Sequence, residues 1–342
     1  MMELPFVTVI IPCRNEANFI SACLESVVAN DYPRDRLEVL VMDGMSEDGT
    51  REIVEAFMKD CPFVRCIDNP KRTTPCGLNI GIKNARGELI IWMSAHNQYS
   101  PDYIRLSVEG LLTHDADNVG GVIVTVPRNP TRIGKGIANA LAHPFGVGNS
   151  YFRTRPTGPR WVDTVFGGCY RKSVFDRIGL FNEQLTRGQD VELNIRLRKS
   201  GGRILLLPNI VSYYYARTEW RSFLKYNWSN GLWAILPFRY SKNIPVSWRH
   251  LTPLAFVLTT LVSAALASFY AAAAWLLASV LGTYFIVSLA ASAQIAFKEK
   301  KLSFLFMMPL IFGGLHFSYG LGSLYGLIKV MSCMTAATPK ES

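Results

Sequence analysis

The sequence predicts an α/β fold built on a mixed, mainly parallel sheet flanked by helices, followed by C-terminal transmembrane helices. Three observations carry this expectation. Apolar runs of strand length alternate with amphipathic stretches of helix length through the first hundred residues, the pattern of repeated β-α-β units. Each apolar run breaks off abruptly into a polar turn. Near the C-terminus, Leu251 to Phe297 and Leu302 to Ile328 contain no Asp, Glu, Lys or Arg.

Taken in order, "FVTVIIP" (Phe6 to Pro12) reads as a buried strand, the polar turn "CRNEAN" follows, and Phe19 to Ala29 reads as an amphipathic helix. "LEVLVMDG" is a second strand ending in Asp43. "SEDGTREIVEAFMKD" is a helix with Ser46 and Asp48 as candidate N-caps, closing before Pro62. "VRCID" is a third strand, "NPKRTTPCG" a basic loop and "LNIGIKNARG" a helix. "ELIIWM" is the fourth strand and runs into "SAHNQYSPD".

A helix needs about 20 apolar residues to cross the hydrocarbon core. The first uncharged run therefore holds two spans, with a break near Ser268 to Ala274, and the second holds one. Arg239, Lys242 and Arg249 precede the first span, and Lys298, Lys300 and Lys301 separate the second from the third. Both basic clusters belong on the cytoplasmic side. The expected organisation is a cytoplasmic domain over residues 1–215, an interfacial segment over 216–248 rich in aromatics and Arg, three spans over 249–330, and a short tail over 331–342 outside. The chain is expected in the cytoplasmic (inner) membrane as a multi-pass protein. "MMELPFVTVIIP" lacks the basic start and small-residue cleavage site of a secretory signal.

Composition narrows the function. Of 342 residues, 49% are hydrophobic, mean hydropathy is +0.16 and net charge is +10, a balance that suits anionic partners such as nucleotide phosphates, lipid headgroups or lipid diphosphates. No dense basic run with interleaved aromatics marks a nucleic-acid surface. Seven scattered cysteines, without a C-x-x-C pair, suggest neither a disulfide framework nor a zinc site. Cys13 and Cys169 are expected to be packing residues.

In a parallel sheet, ligands gather at the carboxyl ends of the strands. The turns after Pro12, Asp43, Asp68 and Met93 are those ends. Asp43 offers a carboxylate to a base or ribose, Gly44 allows close backbone approach, Asn15 and Glu16 stand in the neighbouring turn, and Lys71 and Arg72 offer cations to phosphate oxygens.

"VTVIIPCRNEANFISACLESVVANDYPRDRLEVLVMDGMSEDGT", "TTPCGLNIGIKNARGELIIWM" and "VFGGCYRKSVFDRIGLFNEQLTRGQDVELNIRLRKSGGRILLLP" together resemble the family 2 inverting glycosyltransferases, which have the GT-A fold and use nucleotide-diphosphate sugars. The resemblance spans Phe6 to Pro208. With the C-terminal spans it is most similar to membrane enzymes of exopolysaccharide synthesis, the succinoglycan type among them. It implies that Pro12, Arg14 and Glu16 form the nucleotide-binding loop, that Asp43 contacts the base, and that Ser46 lies nearby. The family's metal motif falls on Ser94-Ala95-His96; exopolysaccharide-type members often read Asp-Ala-His there, so His96 fits and Ser94 departs. The acceptor-side turn falls on Gly167-Gly168, followed by Arg171. The catalytic carboxylate falls on Asp190, with Glu192 the next acidic position and expected to support the acceptor side.

These positions suit the chemistry the resemblance implies. An inverting transfer needs a carboxylate to take the acceptor hydroxyl's proton, and a carboxylate opening a helix stays ionised. A leaving diphosphate needs its charge neutralised, by Mg²⁺ or Mn²⁺. Imidazole suits Mn²⁺ better than Mg²⁺, so His96 is the expected metal ligand, with weak affinity because Ser94 supplies no charge. A lipid-linked or glycan acceptor is expected, and single addition rather than polymerisation, because no Gln-x-x-Arg-Trp motif follows. The competing reading is a non-catalytic membrane scaffold that keeps a nucleotide-binding fold. A dinucleotide oxidoreductase is disfavoured, because "PCRNEAN" lacks the Gly-x-Gly-x-x-Gly turn.

Overall fold

The computed structural model describes residues 4–240 and 247–335. Lys242 of the first basic cluster and residues 336–342 of the expected tail lie outside the described residues. The first part of the chain runs β1 (Val7–Cys13), α1 (Ile20–Val28), β2 (Leu37–Asp43), α2 (Thr50–Asp60), β3 (Val64–Asp68), α3 (Thr74–Asn84), β4 (Leu89–Trp92), β5 (Asn97–Tyr99), α4 (Tyr103–Thr113) and β6 (Asn118–Pro127). It continues through α5 (Arg132–Ala140), α6 (Pro144–Val147), α7 (Tyr151–Thr154), β7 (Arg160–Trp161), β8 (Phe166–Arg171), α8 (Lys172–Ile178), α9 (Gln189–Lys199) and β9 (Ile204–Ala216). The remainder is helical: α10 (Trp220–Ile235), α11 (Pro237–Tyr240), α12 (Trp248–Leu266), α13 (Ala271–Glu299) and α14 (Ser303–Thr335).

One sheet in the order β3-β2-β1-β4-β8-β6-β9-β5, with β7 paired to β9, organises the first unit. β1 to β4 are parallel, as expected from their continuous apolar runs. Beyond them β8 runs antiparallel to β4 and β6 antiparallel to β8. Every residue of β2 is buried, and β1 is buried except at Pro12, so helices cover both faces. One face packs Ile11, Val39, Leu24 and Ile104; the other packs Ile10, Leu40, Leu78, Trp92, Leu193 and Phe181.

At the amino ends of the strands a buried carboxylate fixes the sheet. Glu38 is fully buried, accepts the Thr8 hydroxyl at 2.6 Å, the Arg86 backbone N–H at 2.6 Å and the Arg86 guanidinium at 2.8 Å. The Thr8 hydroxyl oxygen in turn accepts the Gly87 N–H at 2.8 Å. This ties the start of β1 and β2 to the turn that leads into β4. Burial alone would raise the Glu38 pKa, but the Thr8 and Arg86 donors outweigh it and hold the carboxyl below its usual range.

Two compact units divide the chain: Met1–Val124 with Tyr151–Tyr215, and Thr125–Ser150 with the chain from Ala216. Residues 125–150, expected within the domain over 1–215, group with the second unit. Those residues carry α5 and α6, whose apolar face meets α14, with Gly136 against Ile311 and Met307 and Phe145 edge-on to Phe312 at 4.9 Å, while Asn139 donates to Glu299 at the end of α13 at 3.1 Å. Within this second unit α10 was expected to lie in a membrane interface. It packs along α14, with Gly231 against the Tyr319 carbonyl and Gly322 against the Trp228 carbonyl, small residues that let the two backbones close.

Among the described residues three helices are long and apolar enough to cross a membrane: Trp248–Leu266, Ala271–Glu299 and Ser303–Ser332. The expected break falls where α12 ends and α13 begins, at residues 267–270.

Truncating Glu38 strands the Thr8 hydroxyl and the Arg86 N–H in a buried site, so Glu38→Ala is expected to cost about 3 kcal/mol, read as a lower melting temperature of the detergent-solubilised chain. Because the folded pKa is depressed, Glu38 contributes stability above the ordinary carboxylate pKa and loses it as pH falls through the folded value. The acid limb of the melting profile is therefore expected to flatten in Glu38→Gln.

Candidate active site

The register of the parallel strands builds the site. Cys13 pairs with Asp43 and Asp43 pairs with Asp68, so three strand ends stop at one level. Asp43, 1% exposed, accepts the Ser46 hydroxyl at 2.6 Å and the Ser46 N–H at 3.2 Å. The Ser46 oxygen then accepts the Asn15 N–H at 3.0 Å, and Asn15 Oδ1 accepts the Glu47 N–H at 3.0 Å. Two more cross-links join the same loops: Glu16 N–H to Thr50 Oγ1 at 2.8 Å and Ala17 N–H to Asp48 Oδ2 at 3.1 Å. Asn15 and Met45 take positive φ, 53° and 58°, to allow this approach.

Ser46 and Asp48 therefore do not sit at the N-cap of α2, as expected. Gly49 occupies that position in a left-handed conformation; Ser46 is spent between the loops, while Asp48 divides its carboxylate between the Ala17 N–H and the N–H and hydroxyl of Thr50, the first residue of α2. Arg14 is exposed, its stem against Gly44, while Pro12 packs towards Gly77 of α3. Arg51 was not anticipated. Its guanidinium spans Asp68 at 2.6 Å and Asp43 at 3.5 Å, and only the register that sets those carboxylates side by side reveals it.

The loop after β3 holds Lys71 and Arg72. Lys71 donates to Glu183 at 2.6 Å, and Glu183 also accepts from Asn79 at 3.1 Å; the Lys71 contact, first among several, holds the Glu183 carboxyl down to about 2. Asn79 brackets Phe181 through both its backbone N–H and its carbonyl, each at 2.9 Å. The segment leading to α9 is thus tied to α3.

At the end of β4 the chain turns through Ser94-Ala95-His96. Tyr99 pins the turn, accepting the Ser94 N–H at 2.6 Å and donating to the Ser94 carbonyl at 3.2 Å. His96 Nδ1 stands 3.3 Å from Glu16 Oε1, and His96 Nε2 stands 3.3 Å from Ser94 Oγ. The predicted metal corner and the predicted nucleotide loop therefore meet. Among the described residues no group of three His, Cys, Asp or Glu converges on a metal position.

Gly168 pairs with Trp92 across the antiparallel β4–β8 ladder, which puts the Gly167-Gly168 turn beside the end of β4. Both glycines have positive φ, 65° and 118°. A Cβ at Gly168 would overlap Asn118 Oδ1, and one at Gly167 would press on the Trp92 carbonyl. The same ladder corrects the expectation for Arg171. It pairs with Leu89, at the start of β4 and away from the rim, and its guanidinium donates to the Leu111 carbonyl at 3.3 Å. An antiparallel strand carries its later residues away from the site.

Asp190 lies in the first turn of α9, after Gly188 in the left-handed conformation. Burial first, and then the charge of Asp190, push the Tyr170 phenol well above its ordinary range, so the two groups are neighbours. The Tyr170 hydroxyl donates to Asn194, one turn after Asp190, at 3.2 Å and reaches the Gly167 carbonyl at 3.5 Å. The Tyr170 hydroxyl thus joins Asn194, one turn beyond Asp190 on α9, to the carbonyl of Gly167. Glu192 departs from its expected acceptor role: it is 3% exposed, and both its oxygens accept from Arg196 at 2.8 and 2.9 Å. Arg196 also holds the carbonyls of Ile178, Gly179 and Leu180, so Glu192 braces the segment before α9. Cys13 and Cys169 are buried, and burial pushes the Cys169 thiol up to about 12, which suits packing.

Among the described residues, the buried polar atoms of this region without a partner include Trp92 Nε1, Gln189 Oε1 and Asn118 Oδ1. Nothing in the linear sequence marks them; they emerge only from the packing.

A mixed sheet whose parallel strand ends gather Asp43, Asp68 and a histidine corner, with a glycine pair in the neighbouring antiparallel strand, has the architecture of a GT-A glycosyltransferase. The comparisons agree: the pattern of glycosyl transferase family 2 matches residues 8–179, and the chain belongs to that family. It is 32% identical over 235 residues, 66% of this chain and 72% of the other, to a dolichyl N-acetylglucosaminyl phosphate diacetamido-dideoxyglucuronosyltransferase of Methanococcus voltae. It is 31% identical to the succinoglycan biosynthesis protein ExoA of Rhizobium meliloti, covering 67% of this chain and 73% of that one. The structure is similar to a mannosyltransferase of Pyrobaculum calidifontis solved with GDP-mannose and Mn²⁺, with a TM-score of 0.57, 20% identity, and coverage of 95% of this chain and 88% of that one. At that identity the likeness speaks for the fold. The protein is a glycosyltransferase.

Removing the Ser46 hydroxyl leaves the Asn15 N–H without its acceptor and the Asp43 carboxylate without its shortest donor. Ser46→Ala is expected to lower stability by about 1–2 kcal/mol and to weaken nucleoside diphosphate binding about tenfold, checked by thermal melting and by calorimetric titration with UDP and GDP.

Proposed function

We propose that the protein transfers a sugar, with inversion, from a nucleotide-diphosphate donor to a lipid-linked saccharide or polyprenyl-type acceptor in the synthesis of a cell-surface glycan. The catalytic unit faces the cytoplasm from a multi-pass position in the cytoplasmic membrane. The observation that carries this reading is the pairing of Trp92, the last residue of β4, with Gly168, which sets the glycine pair beside the strand that leads into Ser94-Ala95-His96, with α9, whose first turn carries Asp190, tied to Gly167 through Asn194 and Tyr170. The dolichyl phosphate in the name of one relative and the succinoglycan pathway in the name of another support the acceptor class.

Asp190 is the base: ionised at the amino end of α9, where the helix dipole favours the carboxylate, it takes the acceptor hydroxyl's proton as the oxygen attacks the anomeric carbon. The donor nucleotide lies along the loops after β1 and β2, with Asp43 and Arg14 on the base and ribose side and Ser46 holding the loops together. Lys71 and Arg72 extend the cationic side of the same rim, and Gly167 and Gly168 give the acceptor room. The histidine corner suits Mn²⁺ better than Mg²⁺. His96, with the Glu16 carboxylate 3.3 Å away and the Ser94 hydroxyl as a neutral neighbour, would hold the ion alongside the donor's own oxygens. Once bound, the ion neutralises charge on the leaving diphosphate.

The test is turnover of a panel of nucleotide sugars with lipid-linked acceptors by the wild type and Asp190→Asn in detergent. Loss of about 10²- to 10⁴-fold in turnover with donor affinity preserved is expected, and the product formed by the wild type should carry the inverted anomeric configuration by NMR. Equal turnover by the two proteins would remove Asp190 from the role of base.

A further inference from the structure

Helix α7 delivers to this site a cation that no sequence motif marks. The Arg153 guanidinium lies over the Tyr214 ring, 5.5 Å from its centroid, and over its neighbour Phe152 at 5.6 Å. Tyr214 pairs in β9 with Asn97, the residue after His96, and its ring meets the His96 ring edge-on at 6.0 Å. On the other side Phe152 stacks on Phe166 at 6.4 Å, and Phe166 meets Trp92 at 5.9 Å, next to the glycine turn. Arg153 is therefore linked by ring contacts to the histidine corner in one direction and to the glycine turn in the other.

A guanidinium keeps its charge at any working pH and offers five N–H donors. Aromatic rings satisfy its faces but not its edge, and Nη1 of Arg153 is buried with no hydrogen-bond acceptor. A buried charged donor left unmet is costly, so its persistence points to an acceptor supplied from outside the chain. The nearest predicted carboxylate of this corner, Glu16, already stands against His96. An anion that presents several oxygens to a planar fork is phosphate.

We propose that Arg153 is a phosphate-binding residue of the transfer site, accepting either the diphosphate of the sugar donor or the phosphate of a lipid carrier. The inference deepens the functional reading above and rests on it. It also gives the corner a fixed positive charge that does not depend on the two-carboxylate metal motif, of which Ser94 is the missing half.

The full-length protein in detergent, as wild type, Arg153→Met and Arg153→Lys, is titrated with UDP, with GDP and with a polyisoprenyl phosphate, and each variant is melted. Arg153→Met keeps the stem against the rings and removes the charge; it is expected to lose about 10- to 100-fold in affinity for one of the phosphate ligands, with melting unchanged and partial recovery in Arg153→Lys. Loss confined to the nucleoside diphosphates identifies the donor as the source of the phosphate, and loss confined to the polyisoprenyl phosphate identifies the carrier. Wild-type affinities in Arg153→Met, or a lower melting temperature with those affinities intact, overturn the inference and leave Arg153 a packing residue. A wild type that binds neither class of ligand overturns the functional reading, and the inference with it.

Discussion

The site depends on one buried carboxylate. Asp43 ends a strand that is buried along its whole length, and the parallel register sets it between Cys13 and Asp68. A carboxylate in that position cannot be left without donors. Ser46 and Arg51 supply them, and in doing so they fix the two loops that would hold a nucleotide. Ser46 then passes the constraint to Asn15, and Glu16 carries it to His96. The chain of contacts runs from the middle of the sheet to the histidine corner without leaving short-range hydrogen bonds.

A second frame sits opposite. Glu192 and Arg196 clasp the carbonyls after α8, while Asn79, Glu183 and Lys71 hold the next residues from the side of α3. The stretch that precedes Asp190 is gripped from two elements before the helix begins. Catalysis by positioned carboxylates depends on such fixation, because small displacements of a general base are costly.

Much of this was legible in the sequence, for a physical reason. Strands buried on both faces must be apolar throughout, and strand ends that face solvent must turn polar, so β1 to β4 and their rim could be read in one dimension. The uncharged runs behind α12, α13 and α14 were equally plain. What failed were the features set by direction and by long-range packing. Arg171 follows the glycine turn in sequence, but β8 is antiparallel and takes it to the far end of the sheet. Glu192 is acidic and near Asp190, but two residues further along a helix turn its side chain inward. Ser46 and Asp48 look like helix caps, yet the loop opposite claims Ser46 and one oxygen of Asp48, whose other oxygen stays with Thr50 at the start of α2. Residues 125–150 carry no signal as strong as a span, and only their packing on α14 assigns them to the second unit. Arg153 owes its setting to Tyr214, which is far away in the chain.

The proposed donor site is the strand-end rim between Asp43 and His96. A crystal or cryo-EM structure of the full-length protein with a nucleoside diphosphate and Mn²⁺ tests it. The base and ribose are expected against Asp43 and the diphosphate directed towards Glu16 and His96. Density for the nucleotide at any other surface, or the same loops closed and empty in its presence, would contradict it.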